Sequence, residues 1–139
     1  MAKKIIGFTA GAFDMFHVGH LNLLENAKKE CDYLIVGVNT DELITTYKNK
    51  KAVVSLTERM RIVGAIRCVD EVIPVDTLDK VELWKKKKFD VVFIGSDWMG
   101  SERWNKTEKD LAEYEVKVHY LPYTTGTTST LLREKLKEY

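Results

Sequence analysis

Hydrophobic runs recur along the chain, each about the length of a β-strand. Most of these runs are continuous rather than alternating with polar residues, which is typical of strands that are covered on both faces of a sheet. The pattern predicts five strands, over residues 4–10, 33–39, 71–75, 90–96 and 116–122.

Segments with helical periodicity separate these runs. In the first of them, Leu21, Leu24 and Ala27 form one apolar stripe. The alternation of strand and helix predicts an α/β fold, a single Rossmann-like doubly wound parallel sheet of about five strands with helices on both faces. No linker or low-complexity tract interrupts the alternation, so we expect one domain over residues 1–139. The predicted helices cover residues 18–30, 56–67, 79–88, 105–115 and 129–139.

The charges of the chain nearly cancel. Lys and Arg number 22, Asp and Glu number 21, and the net charge is +1, so no excess favours nucleic acid or an anionic membrane. Any anion-binding site must therefore be local. Cys31 and Cys68 match no C-x-x-C or zinc-ligand spacing. The apolar run near the N-terminus is too short for a signal or membrane-spanning segment, and we expect a cytoplasmic protein.

The stretch "GAFDMFHVGH" at 11–20 follows the first predicted strand and holds two of the three histidines. In open α/β sheets the ligand lies beyond the carboxyl ends of the strands, and the N–H groups at a helix start bind phosphate. A helix that begins near His17 would direct its positive end at the same crevice and disfavour imidazolium. We therefore expect His17 and His20 to be neutral hydrogen-bond donors. Two alternatives stay open: simple packing, and a zinc site with Asp14, although the H-E-x-x-H pattern and a fourth ligand are missing.

Six segments together resemble a known family. The pattern G-x-F-D-x-x-H-x-G-H after an N-terminal strand is similar to the signature of the small cytidylyltransferases of the HxGH nucleotidyltransferase superfamily, above all its glycerol-3-phosphate cytidylyltransferase-like members. The other segments follow in that family's order and extend the resemblance over nearly the whole chain. They are "VNTDE" at 38–42, "YKNKK" at 47–51, "ERMRIV" at 58–63, "IRCVDEVIP" at 66–74 and "IGSDW" at 94–98.

The resemblance implies that a phosphate monoester attacks the α-phosphorus of CTP and that pyrophosphate leaves. His17 and His20 would bond the nucleotide phosphates, and Lys48 or Lys50 together with Arg59 would balance the phosphate charge. Magnesium would be bound through the phosphates rather than by a protein cage, and the resemblance implies a homodimer. The implied nucleotide-binding residues are Gly11, Ala12, Phe13, Asp14, Gly19, Asp97, Trp98, Thr124, Gly126, Thr128, Ser129 and Thr130. The implied substrate-binding residues are Asp41 and Tyr123.

The last loop departs from the family pattern. Where the family usually reads R-T-x-G-[IV]-S-T-[TS], this chain has Tyr123 in place of the arginine and "TTST" at 127–130 in place of the final four residues. Arginine offers a charged planar fork to phosphate, whereas tyrosine offers one hydroxyl and an aromatic face. The acceptor is therefore left open between glycerol 3-phosphate, which we consider first, and another polyol, amino-alcohol or sugar phosphate. An adenylyltransferase on the same scaffold and a CTP-binding regulator without turnover are the alternative functions.

Overall fold

Five strands form one parallel sheet in the order β3–β2–β1–β4–β5 in a computed structural model, which describes residues 3–124 and 128–138. Four strands lie within predicted runs and the first extends one residue beyond its run, to Gly11, so the predicted doubly wound sheet is confirmed. The strands are β1 (Ile6–Gly11), β2 (Tyr33–Asn39), β3 (Glu71–Val75), β4 (Val91–Gly95) and β5 (Lys117–Leu121).

Helices cover both faces of the sheet. Leu24 and Ala27 of the first helix and Val63 of the third pack on one face, and Leu83 of the fourth and Trp104 of the fifth pack on the other. No helix within 3–124 or 128–138 combines the length and the apolar character needed to cross a membrane. The helices are α1 (Val18–Lys29), α2 (Asp41–Lys48), α3 (Leu56–Gly64), α4 (Lys80–Lys87), α5 (Glu102–Ala112) and α6 (Ser129–Leu136), and a 3-10 turn (Ser96–Trp98) follows β4.

One helix was not predicted. The segment after β2 lies outside the five predicted helices, but the Thr40 side chain accepts a hydrogen bond from the Leu43 N–H at 3.2 Å and α2 begins there. The helix ends at Asn49, whose φ of 54° lies in the left-handed region that asparagine tolerates. Lys48 is therefore the last residue of a helix, whereas Lys50 lies beyond it.

The strand order reverses between β1 and β4, and the two strands part at their carboxyl ends. Their backbone pairing involves only Gly7 and Phe8 of β1, whereas β1 and β2 pair over six positions. Beyond that pairing, the buried Thr9 hydroxyl donates to the Phe93 carbonyl oxygen at 2.9 Å. Such a switch point is the place where ligands bind in open α/β sheets, and the loop from β1 to α1 lies there.

Candidate active site

The loop between β1 and α1 has an unusual backbone. Phe13 and Met15 have φ values of 51° and 50°, in the left-handed region that non-glycine residues rarely adopt. Such conformations persist only where the surroundings hold them. Phe13 is buried in the core under α1, and the Asp14 carboxylate accepts the backbone N–H groups of Val53 and Val54 at 2.8 and 2.9 Å. These hydrogen bonds fix the loop to the segment that follows Lys50 and Lys51 in the sequence.

His17 and His20 cap α1 reciprocally. The Nδ1 atom of His17 accepts the Gly19 N–H at 3.0 Å, and the Nδ1 atom of His20 accepts the His17 N–H at 3.2 Å. This is a capping box in which imidazoles replace the usual hydroxyl and carboxylate. Because each Nδ1 is an acceptor, each ring carries its proton on Nε2. Both histidines are thus oriented as neutral Nε2–H donors.

The surroundings also favour neutral rings. Burial lowers the pKa of His17, and burial followed by the charges of His17 and Lys48 lowers the pKa of His20 to about 3, against the opposing effect of Asp14. The expectation of neutral imidazoles agrees with these shifts, but burial rather than the helix dipole is the main cause.

Two adjoining cavities open at this end of the sheet, and they share His20, Leu23, Lys48 and Ser129. The larger has a volume of about 360 Å³ and the smaller about 140 Å³, so the larger is within the range of small-molecule sites. Most of the expected site residues therefore lie together. The larger cavity is lined by His17, Gly19, His20, Lys48, Asp97, Trp98, Tyr123, Thr124, Thr128, Ser129 and Thr130, among others. The smaller is lined by Gly11, Ala12, Phe13, Asp14, His20, Lys48 and Ser129, among others.

The last loop and α6 close one side of these cavities. Thr128 caps α6 by accepting the Leu131 N–H at 3.0 Å, and the Ser129 hydroxyl donates to the Asp14 carbonyl oxygen at 2.7 Å. Gly126 lies outside the described residues. The Asn22 amide donates to the Thr124 hydroxyl at 3.1 Å, a contact that the sequence pattern did not indicate.

The two candidate lysines occupy different places. Lys48 contributes to both cavities, and burial of its ammonium, with the charge of Arg133, lowers its pKa although Asp14 opposes this. Both lysines are exposed residues, but Lys50 lines a neighbouring cleft instead, with Lys51, Arg133 and other residues of α6. The structure thus brings Lys48, and not Lys50, to the histidines.

Arg59 and Asp41 differ from their expected placement. The Arg59 side chain is fully buried and donates to the carbonyl oxygens of Val54, Ala12 and Asn39 at 2.7–2.8 Å and to the Asp41 carboxylate at 2.5 Å. Four of its five N–H donors are thus bonded within the protein, and they hold the ends of β1 and β2 together. The guanidinium lines neither of the two cavities. Asp41 is its ion-pair partner and faces a separate shallow cavity. Neither residue lines the two cavities, so the charge-balancing role expected of Arg59 and the substrate contact expected of Asp41 stay predictions that this placement does not favour.

The side chains near the two cavities decide which metal ions the site could accommodate. Within the described ranges, no three His, Cys, Asp or Glu side chains cluster closely enough to hold an ion, which gives the zinc alternative no support. Asp14 is committed to Val53, Val54 and Arg133, and Asp97 is an exposed carboxylate at the larger cavity. This set fits magnesium carried by phosphate oxygens and water.

Comparisons with known proteins show the family of this chain. The sequence model of the family described as Cytidylyltransferase-like matches residues 8–135. The glycerol-3-phosphate cytidylyltransferase of Bacillus subtilis (strain 168) is 38% identical over 96% of this chain and 97% of its own length, and that of Bacillus spizizenii is 41% identical over the same shares. The fold is similar to a lipopolysaccharide core biosynthesis protein from Thermoplasma volcanium, with a TM-score of 0.74, 22% identity, and 90% of this chain and 100% of that one covered. This chain belongs to the cytidylyltransferase-like family.

Proposed function

We propose that this protein transfers CMP from CTP to glycerol 3-phosphate, which yields CDP-glycerol and pyrophosphate. The observation that carries the proposal is the pair of neutral imidazoles beside the larger cavity. Their Nδ1 atoms accept backbone N–H groups at the start of α1, and within residues 3–124 and 128–138 the Nε2–H of His17 and of His20 has no hydrogen-bond partner and is left for a ligand. Relatives that are named for this reaction match nearly the whole chain and support the same substrates.

The reaction needs no protein nucleophile. An oxygen of the acceptor phosphate forms a bond to the α-phosphorus of CTP while the bond from that phosphorus to the oxygen bridging to the β-phosphate breaks, and the electron pair leaves with pyrophosphate. Most of the barrier is lowered by in-line positioning and by neutralising charge on the phosphate oxygens. His17 and His20 supply aligned N–H donors, Lys48 supplies positive charge, and the N-terminus of α1 adds its partial positive charge.

Magnesium is part of the proposal as an ion that the triphosphate carries. When bound, it neutralises charge on the phosphate oxygens. The exposed Asp97 carboxylate at the larger cavity is placed to accept a hydrogen bond from water on such an ion. The homodimer, the cytoplasmic location and the single domain over residues 1–139 stay predictions.

The test is pyrophosphate release with magnesium, CTP and a panel of phosphate monoesters: glycerol 3-phosphate, another polyol phosphate, an amino-alcohol phosphate and a sugar phosphate. We expect release with CTP and glycerol 3-phosphate and none with ATP. Release with ATP alone would establish the adenylyltransferase alternative. CTP binding without release for any acceptor would favour the non-catalytic regulator. For variants of His17 and His20, His119→Gln is the matched control, because this third histidine lies exposed on β5.

A further inference from the structure

Arg103 on α5 packs against two tryptophans, and the sequence pattern did not single it out. Its guanidinium carbon lies 5.0 Å from the ring centroid of Trp98 and 5.7 Å from that of Trp104, within the range of a cation–π interaction. Within residues 3–124 and 128–138 no carboxylate lies at ion-pair distance from Arg103. Two aromatic rings, rather than an acidic side chain, therefore hold this cation.

The two rings differ in their surroundings. Trp104 is 2% exposed and belongs to the hydrophobic core on the α4 and α5 side of the sheet, where close packing fixes a side chain in one rotamer. Trp98 is 43% exposed and lines the larger cavity beside Asp97 and Tyr123. Arg103 thus connects a ring that the core immobilises to a ring that faces the ligand cavity.

The backbone that carries Trp98 is also fastened to α5. The 3-10 turn Ser96–Trp98 is followed by Gly100, whose φ of 86° lies in the region that favours glycine. The Asn105 side-chain amide donates to the Gly100 carbonyl oxygen at 3.3 Å, and the Ser101 hydroxyl caps α5. These contacts fix the backbone of the turn, and the Arg103 contact extends that hold to the indole ring.

The exposed ring suits one part of a nucleotide. Aromatic faces bind nucleobases by stacking, whereas His17, His20 and Lys48 of the same cavity suit phosphate. A ring that is already held in place loses less conformational entropy when a ligand binds against it. We propose that Arg103 is a positioning residue for nucleotide binding, which holds the Trp98 ring ready to pack against the nucleoside part of CTP. The proposal rests on the proposed function, which supplies CTP as the ligand.

Binding is measured by calorimetry with the full chain, so that the result does not depend on turnover. The probes are cytidine, CTP and inorganic pyrophosphate. We expect Arg103→Met to weaken cytidine and CTP binding about two- to fivefold, the size of one exposed cation–π contact, and to leave pyrophosphate binding unchanged. An equal loss for pyrophosphate would show a charge effect on phosphate and overturn the proposal. Lys109→Met is the matched control, because it removes the same charge from an exposed position of the same helix. An equal loss of cytidine affinity in this control would also overturn the proposal.

A double variant shows whether Arg103 acts through Trp98. In a Trp98→Ala background we expect Arg103→Met to cause no further loss of cytidine affinity, since the ring that it positions is gone. A further loss of the same size would mean that Arg103 acts without Trp98, and the proposal would fail.

Fluorescence anisotropy decay tests the positioning itself, without any ligand. The chain has three tryptophans, and a Trp84→Phe background leaves Trp98 and the buried Trp104. We expect Arg103→Met to add a rapid depolarisation in this background, because the Trp98 ring gains freedom, and an unchanged decay would contradict the proposal. If the wild type binds cytidine and CTP with this dependence on Arg103 but releases no product with any acceptor, the proposed function fails while the role of Arg103 stands.

Discussion

The imidazole rings of His17 and His20 stack with their centroids 3.9 Å apart, and each ring accepts a backbone N–H of the same helix start through Nδ1. The pair therefore has two tasks: it caps α1, and it presents two Nε2–H groups on one side of the helix terminus. A single hydrogen-bond pattern fixes the tautomer, the ring orientation and the start of the helix. An alanine at either position therefore removes a capping acceptor together with an Nε2–H donor.

Replacement of His20 by alanine should lower kcat by about 10² to 10³, the size typical of one lost donor to a charged transition state. His17→Ala should lower kcat similarly and also cost about 1 kcal/mol of stability, because the N-cap is lost. His17→Asn keeps an N-cap acceptor and so separates the two effects. Steady-state kinetics and urea unfolding of the three variants measure this. Full activity in either alanine variant would remove the basis of the proposed site.

The free energy of unfolding should fall as the pH drops below 6.5. In the folded chain the pKa of His20 is lowered to about 3, so between pH 6.5 and 3 the unfolded chain binds a proton that the folded chain does not. Stability is therefore fully present above pH 6.5 and decreases toward pH 3, by at most about 1.4 kcal/mol per pH unit for one such group. Urea unfolding of the wild type and of His20→Gln between pH 5 and 8 isolates the His20 contribution, since glutamine retains a capping acceptor. Equal pH slopes in both proteins would contradict the lowered pKa.

Arg59→Met should destabilise the fold by about 3 kcal/mol or more, since it leaves buried carbonyl oxygens at the ends of β1 and β2 without donors. The effect on activity should follow the fraction of folded protein. Denaturant unfolding alongside kinetics tests this, with the exposed Arg61→Met, expected within about 0.5 kcal/mol, as the control. A raised KM with unchanged stability would instead support the original expectation that Arg59 contacts phosphate.

The strands were predictable because a covered parallel strand is a continuous apolar run, a signal that does not depend on the rest of the chain. The helix α2 was not, because its sequence "DELITTYK" is short and contains β-branched residues that disfavour helix. Its stability comes from the Thr40 cap and from burial of Ile44, and burial depends on tertiary structure.

Within the site, the histidine cluster was predictable from a local motif, and the position of Arg59 was not recognised. A signal was present: Arg59 occupies the same helical face as Leu56, Met60 and Val63, which repeat with the spacing of a buried stripe. A charged residue in such a stripe indicates a buried, hydrogen-bonded side chain. Arg133 lacked any such signal, because its partner Asp14 is 119 residues away in the sequence.

Tyr123→Arg should strengthen CTP binding several-fold at low salt. Tyr123 is 48% exposed and lines the larger cavity, where the family resemblance implies an arginine. A guanidinium there would add positive charge to a site that already has Lys48 and Arg133. The increase in CTP affinity should therefore be smaller than if the site held no other cation, and it should decrease as salt screens the charges. Calorimetry with CTP at about 0.05 and 0.5 M salt measures the effect. Tyr114→Arg adds the same charge beside Trp84, outside the cavities, and controls for net charge. Weaker CTP binding in Tyr123→Arg, with Tyr114→Arg unchanged, would mean that the phenol itself contacts the nucleotide and that the site has adapted to it.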